Sequence, residues 1–229
     1  MKKLSVTMSR GETIWGWSYY LFQIFVLQFV IEYVCYFARI PLTLLNLNVI
    51  YFCVNFAALT IILFSFLGKS IVKAVKNWKN TLKSVALGFL LYWVLNVFVY
   101  NMILRLNPDY FNLNDSTIST MAKGNFSMLI FCTVVLAPVA EELVFRGLIF
   151  QGLYNKNRII AYIVSTLAFS AIHVIPYIGA MTPIHMLLSV LQYVPAGVAL
   201  AWAYAKADTI CAPILIHMII NFLGTVAMR

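Results

Sequence analysis

The chain has 229 residues, of which 63% are hydrophobic and 10% charged, and its net charge is +9. A mean hydropathy of +0.91 excludes a soluble domain, which would need more polar surface, and the long, non-alternating apolar runs exclude a transmembrane β-barrel. A nucleic-acid surface is excluded too: the lysines flank apolar segments, as topology determinants do, with no basic aromatic face beside them.

The pattern predicts an all-α polytopic membrane protein with a single membrane domain over residues 1–229 and seven to eight transmembrane helices. After Lys2 and Lys3 the stretch LSVTMSRGET is too polar for the apolar region of a cleavable signal. The first apolar run, 15–38, is therefore read as a retained span. Trp15, Trp17, Tyr19 and Tyr20 suit an interfacial aromatic belt, and Glu32 with Tyr33 reads as a packing contact near the outer side. Spans follow at 47–68 and 84–104. The lysine-rich stretch between them, 69–83, reads equally as an amphipathic helix along the membrane surface or as a plain loop. Four further spans are predicted at 125–153, 159–176, 186–205 and 209–227.

The segment PYIGAMTPIH at 176–185 is either a loop or a short re-entrant piece, which would make eight membrane elements; His185 within it reads as interfacial. Pro195 and Gly197 are expected to bend the sixth span and open it laterally. The cysteines Cys35, Cys53, Cys132 and Cys211 all lie in apolar runs and read as buried small hydrophobes, with no disulfide or zinc spacing. Lys2, Lys3, Arg10, Lys69, Lys73, Lys76, Lys79, Lys83, Lys156, Arg158 and Lys206 fall on one side, against Arg39, Arg105, Lys123 and Arg229 on the other. This bias predicts a multi-pass protein of the plasma membrane with a cytoplasmic N-terminus.

Ionisable side chains within spans cost about 2.5–3.5 kcal/mol each on insertion scales, so each is a functional candidate. Besides Glu32 they are Glu141, Glu142 and Arg146 in the fourth span, His173 in the fifth and His217 in the seventh. Glu142 and Arg146 are one turn apart and read as an ion pair on one helix face. Glu141 points about 100° away and lacks a helical partner. His217 and Asn221 share a face of the last span. At about 1.5 Å per residue, Glu141, His173 and Asn221 lie about 18–21 Å from the inner ends of their helices, and His217 about 12 Å. Kinks near Pro138 and Pro213 can absorb that spread, so these groups can meet in one cavity.

A carboxylate and an imidazole can together activate water, while an imidazole and an amide one turn apart can present two donors to an oxyanion. No serine elbow, Ser/Lys dyad or suitable cysteine supplies another nucleophile. Two histidines and a glutamate can also hold zinc, but HExxH is absent and Asn221 is a poor zinc ligand, so metal-free hydrolysis leads and a zinc-dependent membrane protease is the alternative. A non-catalytic membrane immunity or binding protein is a further rival, and a small transporter another.

In order along the chain, EELVFR (Glu141, Glu142, Arg146), FSAIH (Phe169, His173) and HMIIN (His217, Asn221) resemble the motifs of the CPBP membrane family, also called ABI, which includes the type II CAAX prenyl endopeptidases. The resemblance covers about 124–225 and leaves the three helices of about 15–104 unmatched. It implies an intramembrane glutamic endopeptidase without a cofactor. By motif match Glu141 and His173 would activate water, His217 and Asn221 would stabilise the oxyanion, and Glu142, Arg146 and Phe169 would support the site. A short chain of this kind resembles bacterial members, which are associated with bacteriocin immunity and with processing of small peptides, pheromones included. The implied partners are a membrane-associated peptide and the lipid bilayer; prenyl-cysteine specificity is not implied for a bacterial member. The seven confident spans depart from the eight of the best-known architecture.

Overall fold

A computed structural model describes residues 3–227, and within them the chain is helical, with no strand. Lys2 and Arg229 of the charge count lie outside the described residues. The helices are α1 (Arg10–Phe25), α2 (Leu27–Phe37), α3 (Leu44–Ile62), α4 (Phe64–Lys76), α5 (Trp78–Leu106), α6 (Leu113–Ala122), α7 (Phe126–Tyr154), α8 (Arg158–Ile172), α9 (Pro183–Ala207) and α10 (Cys211–Ala227).

Four of them, α3, α5, α7 and α9, are long and apolar enough to cross a membrane; α1 and α2, bent by 63° at Val26, make a fifth if the pair is one span. All seven expected spans fall on helices. α8 and α10 are the short ones, with 15 and 17 residues. At 1.5 Å per residue they cover about 22–26 Å, less than a hydrocarbon core of about 30 Å.

Three expectations resolve differently from one another. The lysine-rich stretch 69–83 is helical throughout except at Asn77, where α4 gives way to α5, so the plain loop does not form. The segment 176–185 is a connection, with a 3-10 turn at Ile175–Tyr177 and Gly179 at φ 92, and it leads straight into α9. α9 runs unbroken through Pro195 and Gly197, both buried. A Cβ on Gly197 would lie 2.6 Å from Thr166 Cγ2, so this glycine is a close-approach point for α8.

α7 is the axis of the bundle: 61% of its apolar window is buried, against 11% for α5, which faces lipid. Cys53 is exposed on α3 and Cys211 half-buried, whereas Cys35 and Cys132 are buried as expected; all four are free thiols. Cys53 sits on the side of α3 turned away from Leu59 and Asn55, both buried.

The N-terminal segment is tied across one end. Asn155 accepts from the Leu4 N–H at 3.0 Å, Asp208 accepts from the Ser5 N–H at 2.9 Å, and Leu4 itself is buried. Asp208 adopts the left-handed conformation that ends α9 and forms an ion pair with Lys73. Glu12 closes a capping box with Ser9 and also accepts from the Phe66 N–H at 2.7 Å, which joins α1 to the start of α4. Carboxylates thus satisfy orphan amide donors where helices begin.

At the opposite end α6 packs outside the spans. Burial pushes the Asp115 carboxyl up to about 6, a rise that the Gln192 amide at 3.5 Å partly offsets. A raised carboxyl pKa means that the folded chain holds this proton more tightly than the unfolded chain. The contribution to stability is therefore fully present below the unfolded value of 3.8 and is lost as pH rises through about 6. Melting temperatures in detergent should fall across that window, and Asp115→Asn should flatten the fall; an unaltered profile in Asp115→Asn would count against this account.

Candidate active site

The site is built on α7, and α7 is not a regular helix. It widens into π geometry at Cys132–Leu136 and again at Leu143–Phe150, with N–H groups of Ala137 and Gln151 bonding five residues back. Such stretches recur at functional sites, since each leaves backbone groups in need of partners. In the first stretch the next donor in the series would be residue 138, a proline with no N–H. The Thr133 carbonyl therefore takes its hydrogen bond from Asn221 Nδ2 of α10, at 2.8 Å. In the second stretch Ser165 of α8 donates to the Phe145 carbonyl at 2.8 Å.

Glu142 and Arg146 form the expected pair, with Nη1 2.9 Å from Oε1 and both side chains wholly buried. The pair does not stand alone. Glu142 Oε1 also meets His217 Nδ1 at 2.9 Å. Arg146 Nη2 donates to the Gly197 carbonyl at 3.2 Å, and its guanidinium lies 4.5 Å from the centre of the Phe169 ring. Phe169 in turn packs edge-on to Phe145 and His217. One charge pair thus joins α7, α8, α9 and α10.

His173 ends α8 as its cap residue instead of lying within a span. Its Nδ1 meets the Phe169 carbonyl at 2.8 Å, and its ring stacks on Tyr193 of α9 at 4.4 Å between centroids. Asn112, at the start of α6, donates to the Tyr193 hydroxyl at 3.2 Å, so the extramembrane helix holds the stacking ring.

Hydrogen placement follows from these partners. A backbone carbonyl and a carboxylate are acceptors, so Nδ1 carries the hydrogen on both His173 and His217, and each Nε2 is left with its lone pair. Both Nε2 atoms face Glu141 Oε2, at 3.8 Å from His173 and 3.7 Å from His217. These separations exceed a hydrogen bond. Glu141 Oε2 is buried without a partner. Three acceptors therefore converge at this point, and a bound water could donate its two hydrogens to two of them. The donor types would also suit zinc, although among the described residues no three His, Cys, Asp or Glu side chains are grouped as a metal site.

The sequence candidates thus divide. Glu141, Glu142, Arg146, Phe169, His173 and His217 come together, and Asn221 reaches the same helix face from one turn beyond His217. Its amide is turned to Thr133, which uses one of its two N–H donors. Glu32 is exposed and accepts from Gln28 within α2. His185 is half-buried, bonded through Nε2 to the Phe111 carbonyl and packed on Tyr110 and Phe111. Neither joins the cluster. Sequence reasoning did not single out Tyr193, Gln23, Tyr51 or Asn55. The last three line, with Glu141, a cavity of ≈ 40 Å³ between α1, α3 and α7; their one signal was a polar residue in an apolar span.

Comparison with known proteins bears on this geometry. Residues 123–223, which contain every member of the cluster, match the family of type II CAAX prenyl endopeptidases described as Rce1-like. Over those residues the chain is similar to the Rce1-like family. The membrane-embedded CAAX protease MroQ of Staphylococcus aureus is 28% identical over 174 residues, 72% of this chain and 67% of MroQ. The UPF0177 protein in the abiGi 5' region of Lactococcus lactis subsp. cremoris is 28% identical over 166 residues, 69% of this chain and 66% of that relative. A second Lactococcus lactis protein, UPF0177 protein YxdF, is 23% identical over 161 residues, covering 66% of this chain and 84% of YxdF. No solved structure matches the chain. The Rce1-like family is one of CAAX protease-like membrane peptidases, and the apolar helices of this chain make it a multi-pass membrane protein.

Within the Rce1-like region the ion pair sets a testable cost. Arg146→Ala strands the Glu142 charge in a dry interior, a loss of about 3–5 kcal/mol for a broken buried pair. Folded yield and melting temperature in detergent should drop sharply. Arg146→Lys should recover only part, since an ammonium cannot serve Glu142 and the Gly197 carbonyl with a planar fork. Wild-type melting in Arg146→Ala would show that the pair does not hold the site together.

Proposed function

We propose that this protein is an intramembrane endopeptidase that hydrolyses a peptide bond in a small membrane-associated peptide or protein, with water activated by Glu141 and His173. The observation that carries this reading is the single gap faced by Glu141 Oε2 and by the Nε2 lone pairs of His173 and His217.

A water in that gap gives its hydrogens to acceptors and keeps its oxygen lone pair for the scissile carbonyl. As the oxygen adds to the carbonyl carbon, its proton passes to the Glu141–His173 pair. A proton taken up from solvent on Nε2 makes His217 an imidazolium, compensated by Glu142 at Nδ1; its Nε2–H then donates to the developing oxyanion, and the same proton returns to solvent as the products leave. The second N–H of Asn221 is a further donor on the same face. Collapse of the tetrahedral species breaks the C–N bond, and the departing amine takes up the proton held by Glu141 and His173. Products are a carboxylic acid and an amine, with one water consumed. Glu142, Arg146 and Phe169 keep His217 in register and touch no reacting atom.

The role fits peptide maturation, pheromone processing or bacteriocin immunity, in the plasma membrane with a cytoplasmic N-terminus. The reading routes no step through a metal; zinc is the alternative occupant of the gap, and metal content of the purified, active protein decides between them. Stoichiometric zinc with loss of turnover in chelator would replace this mechanism.

Glu141→Ala and His173→Ala should each abolish turnover while the protein still inserts and folds. Asn221→Ala should lower the rate by about 10²–10³-fold if its amide serves the oxyanion. Mass spectrometry of membrane peptides from cells carrying wild type or Glu141→Ala should reveal a product made only with wild type. Identical peptide profiles, or wild-type turnover in Glu141→Ala and His173→Ala, would overturn the proposal.

A further inference from the structure

Hydrolysis within a bilayer needs a supply of water where lipid excludes it. The region that matches the Rce1-like family begins at residue 123, so the N-terminal helices are outside it. Yet α1 and α3 place a polar network directly beside Glu141. Gln23 Nε2 donates to the Tyr51 hydroxyl at 3.1 Å, Asn55 Nδ2 to the Tyr51 carbonyl at 2.8 Å, and the Tyr19 hydroxyl to Asn55 Oδ1 at 2.9 Å. Gln23 is 8% exposed and its Oε1 is buried with no partner. A lone buried carbonyl of this kind costs about 1–3 kcal/mol unless something donates to it.

The cavity that Gln23, Tyr51, Asn55 and Glu141 share is otherwise walled by apolar side chains, among them Phe52 and Phe145. Its volume of ≈ 40 Å³ decides what it can hold. A void of about 150 Å³ takes benzene, so a leucine-sized or aromatic substrate side chain does not fit; a single water needs about 10–15 Å³ and two to four polar partners. Gln23 Oε1 and the Glu141 carboxylate are acceptors for the hydrogens of such a water. The Tyr51 hydroxyl, whose oxygen already accepts from Gln23, has its proton to give.

We infer that Gln23, Tyr51 and Glu141 hold one or a few ordered waters in this recess, a store from which the water of hydrolysis reaches the gap between Glu141, His173 and His217. The inference rests on the hydrolytic reading above and deepens it. Glu141 is the shared wall: it lines the recess, and its Oε2 faces both histidines. The N-terminal helices thereby acquire a chemical task. Gln23 and Tyr51 are positioning residues that act through water and touch no substrate, so their loss slows turnover without weakening binding.

The test uses the full-length protein. Gln23→Leu should lower kcat by about tenfold, the worth of one hydrogen bond, with KM unchanged, and Tyr51→Phe should act in the same direction. A structure of the wild type at a resolution that shows waters should reveal ordered density between Gln23 and Glu141, absent in Gln23→Leu. If Gln23→Leu does not fold, Tyr51→Phe, which removes a single hydroxyl, carries both measurements. An empty or lipid-filled recess in the wild type, or unchanged kcat in both variants, overturns the inference. A rise in KM alone overturns it as well, by making the recess a substrate contact. Should Glu141→Ala remain active, the hydrolytic mechanism fails separately, while the water density still judges the recess.

Discussion

A charge cannot sit in a bilayer without compensation, and the Glu142–Arg146 pair is where this chain meets that constraint. Both side chains are fully buried, and each has a second partner on another helix: His217 for Glu142, the Gly197 carbonyl for Arg146. The pair thus fixes three things together. It sets the approach of α9 and α10 to α7, it chooses the tautomer of His217, and it points Nε2 at Glu141. Breaking it would cost about 3–5 kcal/mol, a large share of a domain's total of about 5–15 kcal/mol. A buried ion pair is weak evidence of net stabilisation over an apolar alternative. Its use here is geometric: an apolar substitute could fill the space but could not orient an imidazole.

Adjacent glutamates acquire different environments because a helix turns about 100° per residue. Glu142 faces inward to guanidinium and imidazole. Glu141 faces a gap ringed by lone pairs, and its own Oε2 is left without a protein partner. Glu142 Oε2 is likewise without a hydrogen-bond partner, but Glu142 Oε1 is held by both Arg146 and His217, whereas Glu141 Oε2 stands beyond hydrogen-bond distance of either histidine. The two π stretches, one before the pair and one that contains Arg146, extend the same division. Each gives up regular helical bonding and exposes a carbonyl, and each carbonyl is then used as an anchor by another helix, Thr133 by Asn221 and Phe145 by Ser165. Proline at 138 makes the first of these obligatory, since no backbone donor can replace Asn221 there.

How much of this was legible in the sequence varies by cause. The Glu142–Arg146 pair follows from i, i+4 spacing, and the helices follow from apolar runs long enough to be unambiguous. The ordered motifs EELVFR, FSAIH and HMIIN located the cluster. The turn of the Asn221 amide towards Thr133 was not legible, because the need for it arises from a change of helical register that no periodicity announces. The helix-breaking pair Pro195 and Gly197 has two physical uses in an apolar run, a kink or a close approach; the sequence does not show the second, which Thr166 against Gly197 supplies. α6 was passed over since a ten-residue helix between spans carries no transmembrane signal, although its Asn112 steadies Tyr193 and through it His173. Cys53 was placed inside on hydrophobicity alone, which in a membrane protein does not separate the core from the lipid face.

That last ambiguity also hid the recess. In a water-soluble helix, polar residues mark the solvent face, but in a span they mark the face turned from lipid, and apolar residues occupy both sides. Gln23, Tyr51 and Asn55 are single polar residues in separate apolar runs, and only the packing of α1 against α3 brings them to one place. Glu12, through Phe66, ties α1 to α4, and Asp208, through Lys73 and Ser5, ties α4 and the N-terminal segment to the end of α9. The Glu12 tie serves an N–H at the start of α4, a donor that the helix itself leaves unsatisfied. The interior of the α1–α3 contact can then be given over to a small hydrated volume next to Glu141. Tied ends and a polar, under-filled middle suit the water recess proposed above.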